Sequence, residues 1–308
     1  MAAIQIAAGT SATIQETFYS GGVTTDLDTG VPAVTVTRPD GTTIASGTVS
    51  HVGAAGSGVY QFVLAALADP TILAVTWAGT VGGQPQTLRS TVEVLGGYLF
   101  TIADLRQIRR GDDTPFADTP AHPNVTTTTW PASLLAAKRA QATDDFAHRT
   151  GWSFVPRFAR EVLDGGTSQL VLAHLKASKL LSVTVNGVPS SLSGWTLRPS
   201  GVLEATSAYG WGSPPVWGRA NVVVEYVHGW DPPPPEVASA AMARTAMLLL
   251  PSPPGSTSSS WTTPDGATYT YETAGNRMSG GGVSLYGIRS IDSVLADPAY
   301  NARGLAVA

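Results

Sequence analysis

The sequence predicts a multidomain protein: an all-β sandwich at residues 1–97, a mixed α+β core at 98–250 and an extended C-terminal arm at 251–308. Three observations predict this fold class. Hydrophobic residues make up 43% of the 308 positions, which is enough for more than one buried core. The 33 glycines and 22 prolines indicate many turns and short strands. Alternating, helical and low-complexity patterns then follow one another along the chain.

The first part has the pattern of an antiparallel sandwich. From Ile4 to Leu95, short alternating segments are separated by turn residues about every ten positions. Arg38-Pro39-Asp40-Gly41 predicts a hairpin, because proline presets φ and Asp-Gly tolerates positive φ. The predicted strands are 11–19, 34–37, 42–49, 58–64, 74–78 and 86–94. This part looks like an immunoglobulin-like domain without the cysteines.

The second part opens with two predicted helices. Thr101 is placed as the N-cap of the first, with Asp104 as an acid in its first turn. Pro131 is predicted in the first turn of the second helix, which Gly151 ends. The polar, proline-containing stretch 112–129 between them is predicted to be a loop.

Strands and a third helix complete the second part. The predicted strands are 158–163, 169–172, 181–185, 195–197, 202–205 and 221–227. Four consecutive prolines from Pro232 precede a predicted helix from about Glu236 to Leu250. The sequence therefore predicts a mixed α+β core in which strands separate the second helix from the third.

The third part is rich in Ser, Thr, Gly and Pro, so little of it is expected to pack as an isolated domain. Apolar residues at alternating or helical spacing near its end suit folding on a binding partner. Those candidate anchors are Tyr286, Ile288, Ile291, Val294 and Leu295. Gly280, Gly281 and Gly282 are the candidate hinge.

The sequence offers no catalytic or metal-binding pattern, so we expect no enzyme activity and no cofactor. There is no cysteine, and the five histidines are scattered without an i, i+4 pair. There is no nucleophile elbow, phosphate loop or zinc-protease motif. The adjacent acids Asp112-Asp113 and Asp144-Asp145 do not face each other on a helix, so solvation or capping explains them better than acid/base catalysis.

The order of motifs in the middle of the chain resembles the head-to-tail connector family of long-tailed bacteriophages, particularly the type from phages of actinobacteria. The segments that carry the resemblance are FTIADLRQIRRG, AHRTGWSFVPRFAREVLDGG, LLSVTVNGV, GVLEA and NVVVEYVHGW, followed by the alanine-rich helix. The resemblance covers about residues 98–250, and it implies a small helical bundle with an inserted antiparallel sheet. An immunoglobulin-like domain in front of it is a departure from minimal connectors.

The resemblance implies a structural role in the virion neck. Such a protein forms a ring of about twelve copies beneath the portal, with a tail-side neck or terminator protein below it. The C-terminal arm is implied to bind the portal. DNA passes through the channel without sequence-specific binding, which suits a net charge of −4. Arg106, Arg109 and Arg110 are candidates for the channel or for a subunit interface.

Two alternatives stay open from the sequence. Eight tryptophans suit a carbohydrate-binding or adhesion module, and a tail-completion (terminator) protein would form a ring of about six copies. The first residues lack the pattern of a signal peptide, and no apolar run approaches the ~20 residues of a membrane span. We therefore expect synthesis in the cytoplasm and no membrane partner, and the resemblance implies a host cell and a final location in the virion.

Overall fold

The computed structural model describes residues 4–28, 30–47, 49–107, 131–205, 218–249, 260–262 and 268–270, and positions 294, 295, 297, 299 and 300. Strands predominate over helices in this part of the chain. The backbone divides into two compact units, each formed by two separate stretches of sequence. Unit 1 contains 1–97 and 155–229, and unit 2 contains 98–154 and 230–308. The predicted division at residues 97 and 250 stays a prediction.

Ten strands are formed by the described residues in the N-terminal part of unit 1. They are β1 (Ile4–Ala7), β2 (Ala12–Thr17), β3 (Tyr19–Ser20), β4 (Val23–Thr24), β5 (Ala33–Thr37), β6 (Thr43–Ser46), β7 (Val49–Val52), β8 (Val59–Leu64), β9 (Thr71–Val81) and β10 (Gln84–Leu95). A five-stranded sheet has the order β1-β10-β9-β5-β6, and a three-stranded sheet has the order β2-β8-β7. β1 pairs with β10 in parallel, while the other pairs in these two sheets are antiparallel.

One apolar core joins these two sheets. The predicted alternation is confirmed on β9 and β10, where Val75, Trp77, Val92 and Val94 are fully buried and Leu88 is half-buried. Ile14 and Phe62 of the three-stranded sheet belong to the same cluster. Burial of this many apolar side chains provides the main free energy for folding of the region.

The predicted hairpin at residues 38–41 is confirmed. Arg38 N–H donates to Thr42 O at 2.9 Å, and Gly41 has a φ of 85°. The prediction of one strand over 42–49 is wrong, because β6 ends at Ser46 and β7 begins at Val49 in the other sheet. A Cβ on Gly47 would lie 2.9 Å from the Phe62 ring. Glycine at this position therefore lets the chain pass from one sheet to the other.

The second β region of unit 1 lies between the helices in sequence. Its strands are β11 (Arg157–Leu163), β12 (Gln169–Val171), β13 (Ala177–Val185), β14 (Val188–Pro189), β15 (Trp195–Arg198), β16 (Val202–Ala205) and β17 (Val222–His228). They form sheets of order β11-β17-β13-β14 and β12-β16-β15 around one core that contains Val183, Leu203 and Val224. Gly96 N–H donates to Pro156 O at 2.8 Å, so the end of β10 is tied to the start of β11.

In unit 2 the described residues include three helices, α1 (Ile102–Gln107), α2 (Ala132–Thr150) and α3 (Pro235–Leu249). The predicted cap of α1 is confirmed: Asp104 N–H donates to Thr101 Oγ1 at 3.0 Å, and Thr101 N–H donates to Asp104 Oδ2 at 2.9 Å. Pro131 is the N-cap of α2 rather than part of its first turn. Gly151 ends α2 in the left-handed conformation, as predicted.

α2 and α3 pack against each other. Leu135 and Phe146 of α2 are buried, as are Val237 and Ala241 of α3. A two-stranded hairpin of β18 (Ser260–Thr262) and β19 (Thr268–Thr270) follows α3. Within the described residues, none of the helices combines the length and the apolar character needed to cross a membrane.

Candidate functional site

The residues that flank the 155–229 insertion meet in unit 2. Trp230 N–H donates to Ser153 O at 3.1 Å, so the residues that leave α2 lie beside those that lead to α3. The Trp152 and Trp230 rings are 6.5 Å apart between centroids. Phe154 is 2% exposed. Aromatic side chains are therefore concentrated where the chain leaves and re-enters the helical unit.

Tyr300 packs on this aromatic group. Its ring is 6.2 Å from Phe154 and 6.0 Å from Trp230, both in edge-on geometry. Its hydroxyl donates to the Glu236 carboxylate in the first turn of α3. That hydrogen bond holds the pKa of Glu236 below its ordinary value and raises the pKa of Tyr300. We call Trp152, Phe154, Trp230 and Glu236 the aromatic surface.

Buried charge also links the helices of unit 2. The Arg139 guanidinium of α2 lies 3.3 Å from the centroid of the Tyr98 ring, and its Nη1 donates to Phe100 O at 3.3 Å. Burial lowers the pKa of Arg139, although an arginine stays charged in a protein. Arg244 of α3 pairs with Asp145 of α2 at 3.2 Å. These contacts orient two parts of the chain against α2, namely the segment that precedes α1 and the helix α3.

The structure describes only some of the predicted site residues. Leu295 is 1% exposed and Val294 is half-buried, while Arg106 is exposed at the end of α1. The other predicted residues lie outside the described part of the chain, namely Tyr286, Ile288, Ile291, Gly280, Gly281, Gly282, Arg109 and Arg110. The portal-binding, hinge and channel roles therefore stay predictions.

A Ser-His-Asp group lies in the N-terminal part of unit 1. Asp26 Oδ1 is 2.7 Å from His51 Nε2, and Ser57 Oγ is 3.2 Å from the same nitrogen. A catalytic relay needs the acid and the serine on different ring nitrogens. The Ser57 hydroxyl also donates to Val52 O at 2.6 Å. The hydrogen bond from the Gly56 N–H is the largest cause, and the one with His51 the second, that lowers the pKa of Asp26 to about 2. These hydrogen bonds therefore hold the loop that contains Gly56 and Ser57 in place.

A second titratable cluster lies at one end of β17. The His174 and His228 rings are stacked with centroids 4.0 Å apart, and the Tyr226 hydroxyl donates to the Glu161 carboxylate. Burial, the hydrogen bond and the charge of Glu161 raise the pKa of Tyr226. Burial lowers the pKa of His228 to about 3, with smaller contributions from His174 and Arg157. His228 is therefore neutral at physiological pH and acts as a packing residue.

Unit 1 also contains a cavity of about 700 Å³ beside β11, β13, β14 and β17. Its charged lining residue Glu225 lies 3.4 Å from Arg160 and accepts a 2.8 Å hydrogen bond from Ser182. No histidine lines the cavity, so its lining holds no serine–histidine pair.

Neither a metal cluster nor an exposed tryptophan platform is found among the described residues. The structure there holds no group of three or more His, Asp or Glu side chains that suits a metal ion. Where side chains are described, Trp77 and Trp195 are buried, and Trp152 and Trp230 are half-buried. Sugar binding by stacking needs an exposed ring face, so these four residues give it no support.

Comparison with known proteins leaves the family open. No family model matches the sequence, and no curated protein matches it. A crystal structure of a DUF4785 family protein from Legionella pneumophila is similar over 74% of this chain, at 9% identity and a TM-score of 0.23. The aligned part spans 46% of that protein's length.

Sequence analysis missed the aromatic surface as a unit. Trp152, Phe154 and Trp230 stand out in the sequence, but they are separated by the insertion, and Tyr300 lies 70 residues beyond Trp230. One signal was present: when a segment is inserted between two packed helices, the residues at its two ends must be neighbours. That argument brings Trp152 and Trp230 together, but it does not reach Tyr300.

Proposed function

We propose that this chain is a structural virion protein, a head-to-tail adaptor that forms a ring beneath the portal and extends the DNA channel from capsid to tail. One observation carries the proposal. The three helices lie in one unit, and the sheets of 155–229 are inserted between α2 and α3. A small helical bundle interrupted by a sheet is the arrangement that the resemblance to connectors implies.

The N-terminal region is proposed to be an immunoglobulin-like domain added to this adaptor. Two sheets around one core, with an antiparallel hairpin at Arg38–Gly41, support that assignment. The hydrogen bond from Gly96 to Pro156 lies between the end of β10 and the start of β11, and it joins the added domain to the second β region. Its proposed role is to decorate the outside of the neck.

The charge of the chain is compatible with a DNA channel. The chain has 18 Lys and Arg against 22 Asp and Glu. A protein that grips phosphates tightly needs a clear excess of basic residues, whereas DNA in a channel must slide. The low content of charged residues, 13%, also suits a subunit that buries much of its surface against neighbours.

The oligomeric state of the purified full-length chain tests the proposal. Mass photometry and negative-stain electron microscopy should detect rings with a central channel, at about 380 kDa for about twelve copies of the 31.8 kDa chain. Rings of about six copies would favour a tail-completion protein instead. A monomer at high protein concentration would refute both assignments.

A second test addresses the proposed portal contact. Phage that carry Tyr286→Ala, Ile288→Ala and Ile291→Ala together should accumulate DNA-filled heads without tails, because the arm loses its apolar anchors. A matched control replaces three exposed apolar residues outside the arm, Val23, Val63 and Val171, with alanine. Normal tailed particles from the arm variant would show that these residues do not bind the portal.

A further inference from the structure

We propose that the cavity in unit 1 binds a neutral saccharide, which it holds by hydrogen bonds rather than by stacking on tryptophan. The cavity measures about 700 Å³, within the range of about 300–1,000 Å³ that is usual for small-molecule sites. All of its lining residues belong to unit 1. Saccharide binding is therefore an activity of the single subunit, additional to the proposed adaptor role and independent of ring formation.

One side of the cavity is the polar face of the sheet β11-β17-β13-β14. Arg160, Glu225 and Ser182 lie side by side on three neighbouring strands, as the strand register places them. Val183 and Val224, which follow Ser182 and precede Glu225, belong to the buried core on the opposite face. The sheet therefore turns its apolar face to the core and its polar face to the cavity.

Two loops of the N-terminal region complete the cavity. The hairpin residues 38–40 and residues 69–71 at the start of β9 line it together with the sheet. The Lys179 ammonium on β13 lies 2.5 Å from the Asp69 carboxylate, so this loop is tied to the sheet. The polar face of an antiparallel sheet is usually open to water. Here the loops turn such a face into a concave site that needs both β regions of unit 1.

The charges around the cavity are balanced. The charged lining residues are two arginines and three carboxylates, namely Arg38, Arg160, Asp40, Asp69 and Glu225. Lys179 adds a third positive charge through its ion pair with Asp69. A phosphate or other anion would meet three carboxylates, and a cation would meet three basic groups. The lining therefore favours a ligand without net charge.

The lining combines hydrogen-bonding groups with carbon surface, which is what a sugar ring requires. A sugar hydroxyl donates to a carboxylate and accepts from an arginine or another hydroxyl. Hydrogen bonds from the Thr42 hydroxyl and N–H lower the pKa of Asp40, so this carboxylate stays an acceptor. Thr184 adds a neutral hydroxyl, and Phe158 and Pro189 offer carbon surface to the C–H groups of the ring.

A peptide suits the cavity less well than a saccharide. An extended peptide binds to a sheet edge, through a row of backbone N–H and C=O groups. The cavity instead lies over β17, an inner strand that pairs with β11 on one side and with β13 on the other. The backbone groups of such a strand are already bonded to its neighbours, so side chains provide the binding groups of this site.

Saccharide binding to the purified full-length chain tests the proposal. A glycan array with neutral, sialylated and sulfated saccharides selects the ligand, and calorimetric titration measures its Kd. The site variant combines Arg38→Ala with Thr184→Val, which removes one arginine and one hydroxyl from the lining. The matched control combines Arg89→Ala with Thr91→Val, at two exposed positions of β10 outside the lining. Urea unfolding checks that each variant is folded; Arg38→Ala alone, at the exposed hairpin, replaces a double variant that is not.

We expect a neutral saccharide to bind, with a Kd at least about tenfold higher for the site variant and within about twofold of the natural value for the control. Equal affinity of the site variant and the natural protein would overturn the proposal, because the saccharide would then bind elsewhere. Binding of sialylated or sulfated saccharides alone would overturn it through the charge balance. An array without any bound saccharide would overturn it outright. None of these results bears on the ring, which tests the proposed function separately.

Discussion

Acid should weaken unit 1 through a single buried histidine. His228 is 7% exposed at the end of β17, stacked on His174 and close to Tyr226 and Arg157. Burial lowers the pKa of His228 to about 3 in the folded protein, whereas an unfolded histidine has a pKa of about 6.5. Because the unfolded state binds the proton more tightly, the stability that His228 contributes is present above pH ~6.5 and is lost progressively as the pH falls toward ~3.

The size of the effect follows from these two pKa values. Between pH ~7 and ~5, protonation of His228 stabilises the unfolded state but not the folded state. The free energy of unfolding should therefore fall by about 2 kcal/mol. Urea unfolding at the two pH values measures this loss. The variant His228→Phe keeps an aromatic ring on His174 but does not titrate, so its loss should be about 2 kcal/mol smaller than that of the natural protein.

A comparison of the two proteins cancels the contribution of other titrating groups. Nuclear magnetic resonance offers a direct check, because the ring signals of His228 should not titrate between pH ~7.5 and ~4.5. Equal pH dependence of natural protein and variant, or a His228 ring that titrates in this window, would refute the reasoning.

Three further predictions concern packing and capping. Gly96→Ala places a Cβ 2.5 Å from the Pro156 ring and should lower the free energy of unfolding by about 1–3 kcal/mol in urea, whereas Gly97→Ala, with nothing within 4 Å, should change it little. Leu295→Ala should lower the free energy of unfolding by about 2–5 kcal/mol, because the side chain is 1% exposed. An unchanged urea midpoint would mean that Leu295 is not packed against the rest of the protein. Thr101→Val removes a hydroxyl that binds Asp104, so the pKa of Asp104 should rise toward its ordinary value in a carboxyl titration; an unchanged pKa would contradict the observed cap.

The features that sequence analysis located well depend on nearby residues. The hairpin at Arg38–Gly41 follows from Pro and Asp-Gly chemistry, and the end of α2 follows from Gly151. Strand positions followed from alternation, which is a period-two pattern within each segment. The predicted strand 42–49 was placed wrongly, because Gly47 lies against the Phe62 ring of another strand and the chain changes sheets there. The predicted strand 11–19 likewise runs across β2 and β3, which lie in different sheets.

The contacts that sequence analysis could not locate join residues far apart in the chain. His174 and His228 are stacked although 54 positions separate them, and Tyr300 reaches Phe154 over 146 positions. The parallel pairing of β1 with β10 is equally remote. Alternation and helical spacing carry no information on such pairs, because each pattern is satisfied by any apolar partner. The candidate site is built mostly from contacts of this kind.

The insertion of 155–229 between α2 and α3 has a consequence for biosynthesis. A ribosome that adds about 5–20 residues per second synthesises Thr150 roughly 4–17 s before it reaches Pro235. The residues of α2 are therefore present for that time without α3. During this interval Phe146, which ends fully buried, has no α3 to cover it. Nascent chains are then most exposed to chaperones and to aggregation, and slower translation of the insertion would lengthen that exposure.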